Sequence, residues 1–161
     1  MTILNAKIRK VLIATIIIVV LVLVIQGAYA LFASPLQLSI VTDKSVYQVS
    51  ETVKISFTLR NVLLLPADIS FRGYLFDFVV RDEEGNEIYW WMKRRLFDDW
   101  PEYLFLMPSQ ASTKTLEWNQ VDDFEVSVLA GTYKIIGSTT FFAYTGKEYR
   151  LEVEATITIA G

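Results

Sequence analysis

The chain contains no cysteine and no histidine. That excludes a disulfide framework and every zinc site built on Cys or His ligands. It also removes the two side chains that most often act as general base or activated nucleophile near neutral pH. No motif frames a Ser/Lys dyad, and carboxylate pairs alone do not define a glycosidase. The parts available point away from an enzyme, and neither a cofactor nor a metal is expected. Basic charge is also scarce outside the N-terminus. The first ten residues carry Lys7, Arg9 and Lys10, which leaves 12 basic against 18 acidic residues in the other 151, a net of −6. A body of that sign lacks the basic footprint that phosphate backbones require, so nucleic acid is excluded as a partner. With only 4 prolines and 7 glycines among 161 residues, and no internal repeat, nothing suggests a low-complexity or multidomain chain.

What the chain does have is one long apolar run. Val11 to Ile25 reads VLIATIIIVVLVLVI, 15 residues without a charge. As a helix it is about 22 Å long, short of a hydrocarbon core of about 30 Å; continuing to Phe32 adds about 10 Å and reaches across. The three cations before it and Ala28-Tyr29-Ala30 after it have the layout of a secretory signal peptide, with cleavage between Ala30 and Leu31. An uncleaved signal anchor, with the cations kept inside and the body outside, fits the same residues. So does a prepilin-like leader cut near Lys10. All three readings place the body outside the cytoplasm, secreted or membrane-anchored through residues 11–32. Residues 1–30 are therefore set apart as signal or anchor and 31–161 as one domain.

Beyond Pro35 the apolar period changes to two. Leu36, Leu38 and Ile40 alternate with Gln37, Ser39 and Val41; Val53, Ile55, Phe57 and Leu59 with Lys54, Ser56, Thr58 and Arg60; and Tyr74, Phe76, Phe78 and Val80 with Leu75, Asp77 and Val79. Leu116 and Trp118 flank Glu117, and Tyr133 and Ile135 flank Lys134. In the last segment Tyr149, Leu151, Val153, Ala155, Ile157 and Ile159 face one way, with charged residues and threonines facing the other. That pattern marks strands with one buried and one wet face. Asp82 to Asn86 and Thr145-Gly146-Lys147 read as hairpin turns, and Pro66, Pro101 and Pro108 as connections. The only helical signal after residue 33 is a short turn near Leu96 to Trp100. The expected fold is all-β: an immunoglobulin-like antiparallel sandwich of seven to nine strands preceded by one apolar helix. Gly131-Thr132-Tyr133 entering a late strand has the pattern of a tyrosine corner, with Ile135 where a disulfide cysteine stands in antibody domains.

Several stretches resemble the BsuPI family, named for an intracellular proteinase inhibitor. Tyr47 and Glu51 precede VKISFTLRN, which ends in Asn61; ISFRGYLFDFVVRDEEGNEIYWW follows over residues 69–91. LMPSQ (106–110), TLEW (115–118) and AGTYKI (130–135) complete the order. Ser109 stands where a glycine is usual, Ser50 precedes Glu51, and the apolar leader is an addition. The resemblance covers about Val46 to Thr140. It implies the sandwich fold and, by the family's name, proteinase inhibition.

The candidate partner surface is the run from Tyr89 to Pro101. Trp90, Trp91, Lys93, Arg94, Arg95, Phe97 and Trp100 combine the residue types that dominate binding hot spots. Adjacent strand positions face oppositely, so only one of Trp90 and Trp91 can point inward. Lys93-Arg94-Arg95 would serve as bait for a trypsin-like peptidase. Asp98-Asp99 and Asp122-Asp123-x-Glu125 lack the spacing of a dedicated calcium loop. The long last strand, if an edge, can accept a strand from another molecule, and Leu31 to Val41 is a candidate for donation to a neighbour. The expected role is a non-catalytic protein-binding or accessory module of the cell surface. A proteinase inhibitor and a self-assembling, pilin-like filament subunit are the alternatives.

Overall fold

In the computed structural model the described residues are all except Met1, Ala33, Arg94, Phe97 and Asp98; the side chains of residues 2–7, 26–27 and 29–32 also lie outside the description. One helix, α1 (Thr2–Phe32), precedes ten strands: β1 (Leu36–Thr42), β2 (Val46–Gln48), β3 (Val53–Asn61), β4 (Ala67–Arg72), β5 (Asp77–Arg81), β6 (Glu87–Trp90), β7 (Pro101–Leu106), β8 (Ala111–Trp118), β9 (Gly131–Ala143) and β10 (Glu148–Ala160). The 18 residues Ile8–Ile25 of α1 have a mean hydropathy of 2.9 and are exposed, so the helix is apolar and long enough to cross a membrane. Its β-branched run would be poorly placed on a soluble helix but is favourable in lipid. The expected cleavage residues Ala28, Ala30 and Leu31 fall within its last turns.

Two sheets form the sandwich. One has the order β1-β3-β8, all antiparallel. The other is built around the 13-residue β9, which pairs with β10 along one edge and with β5 and then β4 along the other. β7 extends this sheet beyond β4, β6 extends it beyond β5, and β2 lies beyond β10. The count exceeds the expected nine because short β2 has its own partner, and β2 makes the sole parallel pairing among the described strands, with Thr158–Ala160 of β10. β1 and β2 are thus one run of chain that changes sheets at Asp43-Lys44-Ser45. The Tyr47 phenol fixes the crossing: it donates to Asp43 Oδ1 at 2.7 Å and accepts from the Lys44 amide at 3.0 Å. Burial pushes that phenol up to about 12, with the Asp43 bond adding to the effect.

The alternating apolar residues meet between the sheets. Val53, Ile55, Phe57 and Leu59 of β3 are fully buried, as are Phe78, Val80, Ile135 and Phe141. Phe57 stacks on Phe76 at 5.4 Å and lies 6.3 Å from Phe78. Burying each such side chain favours folding by roughly 1.5–3 kcal/mol. Gly137 on β9 lets this cluster close, since a Cβ there would stand 2.6 Å from Phe57 Cε1.

The tyrosine corner is present: Tyr133 is buried and its hydroxyl donates to the Leu129 carbonyl at 2.7 Å. Both hairpins are present, with left-handed backbone at Gly85 and Gly146. Two readings need correction. Pro101 opens β7 rather than lying in a connection, which an edge strand tolerates at its first residue. From Leu36 onward, the segment proposed for donation is built into its own sheet against β3, because Leu36 and Leu38 are buried there. β10 does carry a partly open edge: β2 covers only its last three residues.

Candidate functional site

The aromatic run begins on β6 and leaves the sheet at Trp91. β6 pairs with β5, and the strand pleat divides the two tryptophans between faces. Trp91 is 7% exposed and joins the core, 5.0 Å edge-on to Tyr74 and 6.3 Å from Phe78. Trp90 is 39% exposed on the outer face. Its indole N–H donates to Asp77 Oδ2 at 2.6 Å and its amide to Asp123 Oδ1 at 3.0 Å. Burial raises the Asp77 carboxyl above the usual range, against the lowering effect of the Trp90 and Phe78 hydrogen bonds.

Two of the three basic residues are held in place by the same residues. Arg95 lies 4.0 Å over the Trp91 ring and its Nε donates to the Trp91 carbonyl at 3.1 Å. Lys93 pairs with Asp123. The Tyr74 hydroxyl donates to the Leu96 carbonyl at 3.2 Å. Arg94 and Phe97 lie outside the described residues, so of the triad Lys93 and Arg95 are placed, both engaged within the chain. Leu96 and Trp100 stand at 97% and 79% exposure. Among the described residues the expected surface therefore divides into buried Trp91, covered by an exposed Arg95, and an outer part, Trp90, Lys93, Leu96 and Trp100.

The loop 119–130 completes the site, and its part was not foreseen. A groove of about 260 Å³ runs between Tyr89, Trp90, Trp91 and Arg95 on one side and Val121, Asp122, Asp123 and Glu125 on the other. Asp122 Oδ1 accepts the amides of Phe124 and Val126 at 2.8 and 2.9 Å, folding the loop on itself. Asp123 receives Trp90 and Lys93. The Asp122 and Asp123 oxygens are thus structural acceptors, and among the described residues no group of carboxylates is placed to hold a metal. Gln120, fully buried, fixes the base of the loop: it accepts from the Ser50 amide at 2.8 Å and donates to the Gln48 carbonyl at 2.9 Å. The only sequence signal for this loop was its acidic cluster.

The two packed sheets and the tyrosine corner define an immunoglobulin-like β-sandwich. The sequence profile of the BsuPI family, described as intracellular proteinase inhibitor, matches residues 40–140, and the chain belongs to that family. No curated protein sequence matches the chain. Among solved structures, a β-glucosidase from Erythrobacter marinus is similar at 13% identity with a TM-score of 0.46, covering 78% of this chain but 15% of the glucosidase. The CARDB domain of a Pyrococcus furiosus protein, solved with two metal ions, gives 11% identity and a TM-score of 0.44 over 78% of this chain and 87% of that one. The sporulation control protein of Bacillus subtilis gives 10% and 0.42 over 80% and 51%. At these levels the structural likenesses carry no argument about activity.

Proposed function

We propose that the chain is a non-catalytic module, held at a membrane by α1, that binds a protein partner through the outer residues of the aromatic loop, with a peptidase as the foremost partner class. Family membership over residues 40–140 carries this reading. The geometry supports it, because an inhibitory or docking loop must be ordered before it binds, or the ordering entropy is lost from affinity. Here Trp91–Arg95 stacking, the Lys93–Asp123 pair and the Tyr74–Leu96 bond hold the loop while Leu96 and Trp100 project. Titrating the full-length chain in detergent against a panel of serine peptidases tests it. The expected result is activity loss that saturates at one inhibitor per enzyme. A panel left fully active at excess chain removes the peptidase and leaves a different protein partner.

An extracytoplasmic placement of the body is the companion reading, supported by Lys7, Arg9 and Lys10 ahead of the apolar run. Cations flanking a span are retained on the cytoplasmic side. Since the chain has no cysteine, Glu84→Cys offers a unique handle. Its labelling on intact cells by an impermeant maleimide is expected; labelling only after lysis would place the body inside.

A further inference from the structure

α1 ends at Phe32, and the amide of Val62 donates to the carbonyl of Pro35 at 3.2 Å. The end of the sandwich nearest the helix is therefore the end that carries the 62–66 connection, VLLLP. Asn61 gathers the rest of that end. Its side chain donates to the carbonyls of Leu65 at 2.8 Å and Leu106 at 2.9 Å, which brings the close of β7 beside the connection. The β9–β10 hairpin arrives there as well, through the Tyr144 amide on the Asp68 carbonyl at 3.2 Å. These segments present large apolar side chains outward. Leu64 is 63% exposed, Met107 53%, Phe105 57% and Tyr144 90%, with Val62 and Leu65 also exposed. At the opposite end the hairpin tip Asp82–Asn86 is made of acids, Gly85 and Asn86, while Phe124, Val126 and Leu129 of the neighbouring loop are exposed.

We propose that this end of the sandwich, through Val62, Leu64, Leu65, Phe105, Met107 and Tyr144, seats in the headgroup layer of the bilayer that α1 spans. The inference rests on the membrane-held reading above. Chain length keeps this end of the sandwich close to the bilayer. A span from Val11 to Phe32 is about 33 Å as a helix, matching a hydrocarbon core of about 30 Å. From Phe32 to Pro35 the chain reaches at most about 10 Å. The headgroup layer itself is about 5–8 Å deep on each side. The headgroup layer is thus within reach of the connection, and apolar loops and a tyrosine with a polar tip are favoured there over exposure to water. The body's net charge of −6 selects zwitterionic rather than anionic lipid as the surface.

The test places a single cysteine in the cysteine-free full-length chain, labels it with an environment-sensitive fluorophore and reconstitutes it in phosphatidylcholine vesicles. The sites are Leu64→Cys, Met107→Cys, Glu84→Cys and Val19→Cys. Glu84 lies in the hairpin next to the Lys134–Thr156 pairing, eight residues along β10 from the seating end, or about 26 Å. Blue-shifted emission and quenching by headgroup-level spin-labelled lipid at 64 and 107, none at 84, and deep quenching at 19 are expected. Deep quenching at 19 with aqueous emission at 64 and 107 overturns the seating while the anchor stands. Aqueous emission at 19 overturns the anchor and the seating together. Emission at 64 that shifts with protein concentration in lipid-free detergent assigns the end to a second copy and also overturns the seating.

Discussion

Trp90 and Asp77 are joined across the β5–β6 pair, the indole N–H donating to the carboxylate at 2.6 Å. The bond locks the outward tryptophan of the candidate site to a half-buried acid whose ionisation burial disfavours.

Asp77 and Asp43 should therefore give opposite pH signatures. The folded-state value of Asp77 is raised, so its contribution to stability is complete below the ordinary aspartate range, about 3.9, and is lost as pH rises through the raised value. Asp43 is lowered, chiefly by the Tyr47 hydrogen bond, so its contribution is present above that range and is lost as pH falls through the lowered value. Asp77→Asn, which keeps an acceptor for Trp90, should match or exceed the unchanged chain in denaturant midpoint at neutral pH, the difference closing in acid. Asp43→Asn should lower the midpoint at neutral pH, its difference also closing in acid. Equal losses at neutral pH for both would mean that the Trp90 bond outweighs burial at Asp77.

The two faces of the aromatic loop should separate stability from binding. Trp91→Ala removes a buried ring and is expected to cost about 3–5 kcal/mol of unfolding free energy. Trp100→Ala, at an exposed position, should stay within about 0.5 kcal/mol of the unchanged chain yet weaken peptidase inhibition by tenfold or more. Denaturation and inhibition titrations on the same preparations decide this; unchanged inhibition by Trp100→Ala would move the contact elsewhere.

Ser109 and Ser50 sit at φ of +64° and +68°, in the left-handed region. A side chain there costs about 1–2 kcal/mol, partly offset by the greater chain entropy that glycine loses on folding. Ser109→Gly and Ser50→Gly should each stabilise the chain by about 0.5–1 kcal/mol, read as a higher urea midpoint with unchanged slope. Ser109→Ala should give no such gain.

Asn61 is fully buried, with both ends of its amide in use: the Leu63 amide donates to Oδ1 at 2.9 Å while Nδ2 serves Leu65 and Leu106. Asn61→Ala strands one donor and two acceptors, and the loss should be about 3 kcal/mol, larger than the loss of one neutral bond. Asn61→Asp, which keeps only the acceptor side, should be no better at neutral pH. Thermal or urea unfolding of both variants measures it.

Much of the fold was legible because burial writes itself as period. The alternation in Val53–Asn61 and Glu148–Ala160 predicts which residues point inward, and the Gly-x-Tyr at 131–133 predicts the corner. β7 was not legible: Pro101, Glu102, Tyr103 and Phe105 are all exposed, so an edge strand with apolar residues on its open face breaks the pattern. The site was half legible. Trp90 and Trp91 had to face oppositely, but their neighbours could not be read from the run itself.

Composition and local pattern suffice for the class of molecule: an apolar N-terminal run, a cysteine-free and histidine-free sandwich, a net-acidic body and membership of one family. Those follow from composition, period and local turn chemistry, which act over a few residues. Only the tertiary structure decided which inward tryptophan stacks under Arg95, that Asp123 is bound to Trp90 and Lys93, and that Asn61 ties Leu65 to Leu106 at the helix end. Each of those contacts joins side chains to groups set beside them by sheet pairing and loop closure. Their partners are fixed by where the two sheets place the chain, and no local pattern encodes that placement.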